Sequence, residues 1–135
     1  MQNEIPSNGL LFNLLIEFNQ SWAKDASALA VVIYAKNFEH NGKPSRTCAF
    51  DAGAAWENLA LEANSRGLVA HAMEGFDYEK ARKDLEIPDD YEIHAMIAIG
   101  KRGRKEDHPN DLQKDEMPSD RKPLTEIIMK GKFRK

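Results

Sequence analysis

The residues best placed to do chemistry are Glu74 and Gly75, which directly follow a short apolar segment. A glycine at the end of a strand allows the backbone to approach a ligand closely or to adopt a positive φ. Asp77 comes two residues later and can cap a helix, whose free N-terminal amides favour electron-rich groups. An ordinary turn from strand to helix would use the same residue types, and on spacing alone we favour that interpretation.

A second candidate is Arg121, which stands with Lys122 in front of a rigid proline. A planar guanidinium matches phosphate oxygens well, although the pair on its own is typical of an ordinary surface. The basic cluster at residues 101–105 is followed at once by Glu106 and Asp107. For that cluster we predict a solvated loop rather than a nucleic-acid contact.

Other kinds of site find little support in the sequence. No two histidines have the spacing that places both imidazoles on one face of a helix, and no phosphate loop or nucleophile elbow is present. We therefore predict no metal site. The formal charge of −3, from 22 acidic and 19 basic side chains, provides no general attraction for nucleic acid or for an anionic membrane. The four histidines are His40, His71, His94 and His108.

The cellular compartment is suggested by cysteine usage. Cys48 is the single cysteine and cannot form an internal disulfide, which favours a reducing compartment. The N-terminus lacks the basic start and apolar run of a signal peptide, and no apolar stretch is long enough to cross a membrane. We expect a cytoplasmic protein.

The elements that must position these residues follow from apolar periodicity. Helical and extended patterns alternate, which predicts a mixed α and β fold with a central sheet. The first strand, at residues 28–34, is apolar throughout and is predicted to be buried on both faces. Residues 100–122 are predicted to be a long surface loop with a helical turn near Asp111. The remaining expected elements are a flexible leader at 1–9, helices at about 10–24, 47–66 and 78–85, strands at 68–73 and 91–99, and an extended or helical piece at 124–129.

The predicted helix at 47–66 is rich in small residues and ends before Gly67, where a C-cap belongs. Small side chains allow another backbone to come close, so this helix is expected to pack against a sheet or a second subunit. We predict that it is the longest helix and that the protein forms a homodimer mainly through it. The residues expected at this contact are Ala52, Gly53, Ala60 and Ala63.

Several segments in order resemble the nitroreductase family of FMN-dependent oxidoreductases. The run Phe50-Asp51-Ala52-Gly53-Ala54-Ala55-Trp56 and its continuation to Ala63 resemble the central helix of that family. The similarity covers about Leu11 to Phe133. Its further segments are Phe18–Lys24, Gly67–His71, Glu74–Asp77, Tyr91–Gly100 and Arg121–Leu124.

The resemblance implies an α+β nitroreductase-like sandwich with a central sheet and a long dimer-interface helix. It also implies that FMN at the interface of a homodimer takes hydride from NADH or NADPH and reduces a small-molecule acceptor such as a nitroaromatic or a quinone. By the same resemblance, Met73 is an apolar neighbour of the flavin, and Glu74 and Gly75 lie beside its reactive edge, with a backbone amide near N5. Arg121 matches an arginine that binds the FMN phosphate. No side chain is assigned a catalytic role.

The sequence departs from the family pattern at its front. The family opens with an Arg-Ser-x-Arg type motif and a Pro-Ser-Ser-x-Asn type motif, whereas the first arginine here is Arg46. Ser119 stands where relatives often have a second basic residue near Arg121. We therefore expect residues 10–135 to be a partial, N-terminally truncated nitroreductase-like domain with a compromised flavin site. The alternative is a non-catalytic dimeric remnant that binds a ligand or partner and has lost flavin chemistry.

Overall fold

The structure is a computed structural model that describes residues 7–108, 110–114 and 116–133. The chain forms two units, Met1–Arg102 and Gly103–Lys135. The second unit holds a 3₁₀ turn at Lys105–Asp107 and the one-turn helices α5 (Asn110–Gln113) and α6 (Leu124–Ile127). The elements of the first unit are α1 (Ser7–Phe12), α2 (Glu17–Ala23), β1 (Ala28–Ala35), α3 (Cys48–Ser65), β2 (Val69–Met73), α4 (Tyr78–Asp84) and β3 (Tyr91–Gly100).

The three strands form one antiparallel sheet in the order β1-β3-β2. Side chains alternate between the two faces of a strand, and β3 is apolar on both. Met96 and Ala98 join the core cluster that includes Leu14 and Phe76. Ile97, which lies between Met96 and Ala98 in sequence, is also buried and points to the opposite face. The α+β architecture with a central sheet is therefore confirmed.

The expectation that the first strand is buried on both faces was wrong. Ala28, Ile33 and Ala35 of β1 are exposed and the other residues of the strand are only half-buried. β1 lies at an edge of the sheet and has one strand neighbour, β3. The strand with buried residues on both faces is instead the central strand β3.

The single helix predicted at about 10–24 is two helices in the structure. The chain between α1 and α2 pairs with the segment after β2 through a short antiparallel bridge. The N–H of Asp77 donates to the carbonyl of Leu14 at 2.8 Å, and the N–H of Ile16 donates to the carbonyl of Gly75 at 3.1 Å. These backbone groups are bonded to the loop, which explains the break.

A side chain of α2 also bonds to backbone carbonyls at the end of α1 and in the α1–α2 connection. Nε2 of Gln20 donates to the carbonyl of Leu15 at 2.9 Å and to that of Phe12 at 3.3 Å. At the start of the chain, α1 takes up Ser7–Gly9, which the sequence assigned to a leader. Residues 1–6 of that leader lie outside the described residues.

The long helix is confirmed as α3, 18 residues from Cys48 to Ser65. Gly67 follows it with φ of 70°, a conformation that glycine adopts without a steric cost. The expected dimer contact is only partly exposed: Ala63 is buried and Ala52 and Ala60 are half-buried. Gly53 faces open space, because a Cβ added there would meet nothing within 4 Å. Three of the four small residues therefore lie on the better covered side of α3.

Helix α4 begins as the sequence predicted. Oδ1 of Asp77 accepts a hydrogen bond of 2.9 Å from the N–H of Lys80, the third residue of the helix. Lys80 also ties this end of α4 to the α1–α2 connection, since its Nζ donates to the carbonyl of Asn13 at 3.0 Å. The cap thus lies inside the contact that holds the loop after β2 in place.

Loss of this cap should destabilise the protein measurably. We expect Asp77→Ala to lower the free energy of unfolding by about 1 kcal/mol, the usual effect of removing an N-cap acceptor. Asp77→Asn keeps an acceptor oxygen and should cost less than half as much. Urea unfolding followed by circular dichroism measures both, and equal losses in the two variants would show that charge rather than capping stabilises α4.

Candidate functional site

A groove of about 580 Å³ opens where β2 ends and β3 continues. The pairing of β2 with β3 stops at Met73 opposite Met96, whereas β3 continues back to Tyr91 beside β1. The size is within the range of small-molecule sites. The groove is lined by Ala72, Met73, Glu74, Tyr78, Glu92, Ile93, His94 and Ala95.

The floor of the groove is shaped by a β-bulge in β3. Ile33 pairs with Ile93 and Val32 pairs with Ala95, so His94 has no partner across the strand. A bulge bends its strand and redirects the side chains around it. The ring of Tyr34 meets the exposed His94 ring edge-on at 5.6 Å between centroids.

Tyr78, at the start of α4, forms one wall. Its ring stacks on Phe76 at 4.1 Å, and its hydroxyl donates to the carbonyl of His94 at 3.3 Å. Burial, and then the negative charge of Glu74, raise the pKa of the Tyr78 hydroxyl above its usual value of about 10. The phenol therefore keeps its proton at physiological pH and can act as a hydrogen-bond donor.

The charges around the groove are acidic. Glu74 is exposed and Glu92 is half-buried. Oε2 of Glu92 is 3.2 Å from Nζ of Lys36, which compensates that carboxylate, whereas no ion pair is recorded for Glu74 among the described residues. The groove therefore suits a neutral or electron-poor ligand surface better than an anionic group.

Gly75 is required by the packing of its own chain. A Cβ there would lie 2.8 Å from Cδ1 of Ile16 and would overlap Nδ2 of Asn19. The described glycines with positive φ are Gly42, Gly67 and Gly131. Of the two reasons for a glycine at this position, positive φ does not apply to Gly75, and the close approach is made by Asn19 and Ile16.

Asn19 is a residue of this region that the sequence did not identify as part of the site. It is 6% exposed, and its Nδ2 donates to the carbonyl of Gly75 at 2.9 Å. Its Oδ1 accepts from Nε1 of Trp22 at 3.2 Å. The signal was present: Asn19 lies four residues from both Leu15 and Ala23, on the buried face of α2, where an apolar residue would be expected.

The four predicted site residues fall in the two units. Met73 is buried, Gly75 is half-buried and Glu74 is exposed at the groove in the first unit. Arg121 is exposed in the second unit, and its Nη1 donates to the carbonyl of Ser119 at 3.1 Å and to the Ser119 hydroxyl. The first three residues lie together because they are consecutive in sequence, and Arg121 belongs to the other unit.

Two further kinds of site are absent from the described residues. Those residues include no group of three or more His, Cys, Asp or Glu side chains arranged to hold a metal ion. None of the described helices combines the length and the apolar character that a membrane crossing requires.

Comparison with known proteins places these features in a family. The model of the nitroreductase family matches residues 4–101. An uncharacterized 15.4 kDa protein of Mycolicibacterium smegmatis is 33% identical over 120 residues, which cover 88% of this chain and 80% of that protein. Protein DrgA of Synechocystis sp. is 44% identical over 57 residues, 42% of this chain and 26% of that protein.

Solved structures support the same fold. An oxidoreductase containing FMN superimposes with a TM-score of 0.90 and 40% identity, over 97% of this chain and 68% of that one. A nitroreductase family protein from Streptococcus pneumoniae TIGR4 gives a TM-score of 0.66 at 21% identity, over 92% of this chain and 74% of that one, which is a likeness of fold. The nitroreductase-like α+β architecture is therefore confirmed.

Proposed function

This chain belongs to the nitroreductase family, and we propose that it is an FMN-dependent oxidoreductase that passes electrons from NAD(P)H through the flavin to a nitroaromatic or quinone-type acceptor. The observation that carries this proposal is the groove beside Glu74 and Gly75, in a chain 40% identical to an oxidoreductase containing FMN. The choice of NAD(P)H as the electron donor and of nitroaromatics or quinones as acceptors rests on the resemblance to the family.

The groove is suited to the flavin ring. Met73 offers an apolar side chain and Tyr78 offers an aromatic ring. Next to these lining residues, the backbone N–H of Gly75 has no acceptor among the described residues. An unpaired donor and an aromatic wall are what a neutral, polar, planar ring system requires. When bound, FMN would supply the two-electron chemistry, and these residues would bind and orient its ring.

The same groove is poorly suited to the FMN phosphate. A phosphate is doubly charged and needs several donors or cations when it leaves water, and the carboxylates of Glu74 and Glu92 line this groove. We propose that Arg121 is the main phosphate contact. Because Ser119 adds no positive charge beside it, we also propose that the flavin site of this chain is weak.

Arg121 should then provide most of the binding free energy between the protein and the FMN phosphate. We expect Arg121→Ala to weaken FMN binding by roughly 1.5–3 kcal/mol, the range for hydrogen bonds to charged groups. Arg121→Lys should not restore it, since lysine lacks the planar, two-pronged donor set. Fluorescence titration with FMN and with riboflavin measures the effect, and only the FMN affinity should fall.

Arg104→Ala is the matched control for this titration. Arg104 is also exposed in the second unit and pairs with Asp107 at 2.9 Å. It has no expected role in binding flavin, so its loss should leave the FMN affinity unchanged. Equal losses in Arg104→Ala and Arg121→Ala would indicate a general effect of net charge and would remove Arg121 from the site.

A homodimer is the proposed assembly, formed through the open side of α3. Phe50 is 78% exposed and Leu61 is 59% exposed on this helix, with Gly53 and Ala54 exposed between them. Large apolar side chains grouped on one face favour contact with another protein surface. The small residues between them would allow two helices to approach closely.

The alternative is a dimeric remnant that binds a ligand without flavin chemistry. One observation favours it: Gly75 is explained by packing against Asn19 and Ile16 alone, without a ligand. Visible absorbance of the purified protein, FMN titration and NAD(P)H oxidation with a quinone separate the two. Measurable FMN binding with flavin-dependent quinone reduction supports the oxidoreductase, and absence of FMN binding at millimolar concentration supports the remnant.

A further inference from the structure

The loop after β2 is held by a chain of hydrogen bonds that starts in α2. Nε1 of Trp22 donates to Oδ1 of Asn19, and Nδ2 of Asn19 donates to the carbonyl of Gly75. Both ends of a side chain that is 6% exposed are therefore used. A buried amide bonded at both ends cannot rotate without losing at least one of these bonds.

The carbonyl of Gly75 accepts twice. Besides Nδ2 of Asn19 at 2.9 Å, it accepts from the N–H of Ile16 at 3.1 Å. The N–H of the same peptide unit belongs to Phe76 and donates to the carbonyl of Glu74 at 2.8 Å. The peptide unit between Gly75 and Phe76 is thus fixed at both its oxygen and its nitrogen.

This arrangement determines the direction of the next peptide unit. The carbonyl of Glu74 is turned toward the N–H of Phe76. Because the peptide is trans, the N–H of Gly75 points away from that carbonyl. Of the three N–H groups from Gly75 to Asp77, the other two have protein acceptors, and that of Gly75 has none among the described residues.

We propose that Asn19 is a positioning residue for flavin: it fixes the Gly75 carbonyl and so holds the Gly75 N–H ready for the ring. This role rests on the proposed FMN function and assigns a task to a residue that would not itself touch the cofactor. The predicted partner of the N–H is flavin N5, which carries a lone pair in oxidised FMN and a hydrogen after two-electron reduction. Displacing the donor should therefore weaken oxidised FMN more than reduced FMN.

Two variants separate the bonds that Asn19 makes. Asn19→Leu keeps a similar volume and removes both bonds, whereas Asn19→Asp keeps an acceptor for Trp22 and loses the donor to Gly75. We expect both to bind oxidised FMN at least tenfold more weakly, with less than a threefold change for reduced FMN. A tenfold difference between the two forms raises the midpoint potential of the bound flavin by about 30 mV for a two-electron couple.

Ile97→Val is the control for general destabilisation. Ile97 is buried on the opposite face of the sheet, so removal of one methyl group should loosen the core without disturbing the loop. Fluorescence titration and spectroelectrochemistry should give a potential unchanged from the wild type in this variant. A potential unchanged in Asn19→Leu and Asn19→Asp, or shifted equally in Ile97→Val, would overturn the proposal.

Failure of the proposed function gives a different result. If the wild-type protein binds no FMN, the oxidoreductase proposal is overturned. The effect of Asn19 on the loop after β2 is then tested by amide hydrogen exchange of the protein without flavin. In the wild type the Phe76 amide should then be protected and the Gly75 amide should exchange at least tenfold faster. Loss of that difference in Asn19→Leu supports the positioning role, and an unchanged difference overturns it.

Discussion

Gly75→Ala should lower the free energy of unfolding by about 1–3 kcal/mol, the cost of placing an extra carbon in a packed site. The added Cβ would press on Ile16 and Asn19. Ile16 is 49% exposed and can move its side chain into solvent. Asn19 cannot move without losing its bonds to Gly75 and Trp22, so the cost falls mainly on that residue. Urea unfolding at constant pH measures the change.

A double-mutant cycle tests this cause. Asn19→Ala removes the amide that the new Cβ would meet, so Gly75→Ala should cost less in that background, with a coupling of about 1–2 kcal/mol. Gly9→Ala, in α1, is the matched control for the loss of a glycine. It adds the same atom in open space within a helix and should stabilise the protein by up to about 1 kcal/mol. Equal costs of Gly75→Ala in both backgrounds would contradict the explanation.

Local signals were sufficient for much of the fold. The alanine-rich run before Gly67 predicted α3, and Asp77 predicted the start of α4, because caps and helix propensity act within a few residues. The strand predicted at 91–99 is β3, which ends one residue later at Gly100. Short-range chemistry specifies these elements whatever their tertiary surroundings.

The elements that depend on partners distant in sequence could not be predicted. Residues 10–24 have helical periodicity throughout, yet the helix breaks there because the backbone bonds to the loop after β2, which is distant in sequence. The N–H of Ile16 donates to the carbonyl of Gly75, and the carbonyl of Leu14 accepts from the N–H of Asp77. Likewise the apolar letters of β1 do not reveal that it lies at an edge of the sheet. Periodicity reports which residues prefer to be buried and not which neighbour buries them.

The residues of the candidate site, like the elements of the fold, could be predicted only in part. Met73 and Glu74 both line the groove, since they are consecutive residues at the end of β2. Tyr78 lines the groove because it lies at the start of α4, and His94 lines it at the bulge in β3. No spacing in the sequence connects these two residues with Glu74. Asn19 stands out in the sequence as a polar residue on a buried helical face. Its role could not be predicted, because the sequence does not show that it bonds to the carbonyl of Gly75.

Gly53→Leu should have opposite effects on folding and on assembly. Gly53 lies on the open side of α3, where a Cβ meets nothing within 4 Å, so the larger side chain fits the isolated subunit. Replacing a helical glycine should raise subunit stability by about 0.5–1 kcal/mol. In the proposed dimer the same side chain would separate the two helices, and we expect dimer affinity to fall at least 100-fold, about 2.7 kcal/mol.

Sedimentation equilibrium and thermal unfolding at low concentration measure the two effects separately. Gly9→Leu is the matched control, because Gly9 is a second helical glycine with open space around its Cβ, in α1 rather than α3. It should leave dimer affinity unchanged. A wild-type protein that is monomeric at micromolar concentration would contradict the proposed assembly. A Gly53→Leu variant that dimerises as well as the wild type would place the contact elsewhere, because a close helix-to-helix approach at Gly53 has no room for a leucine.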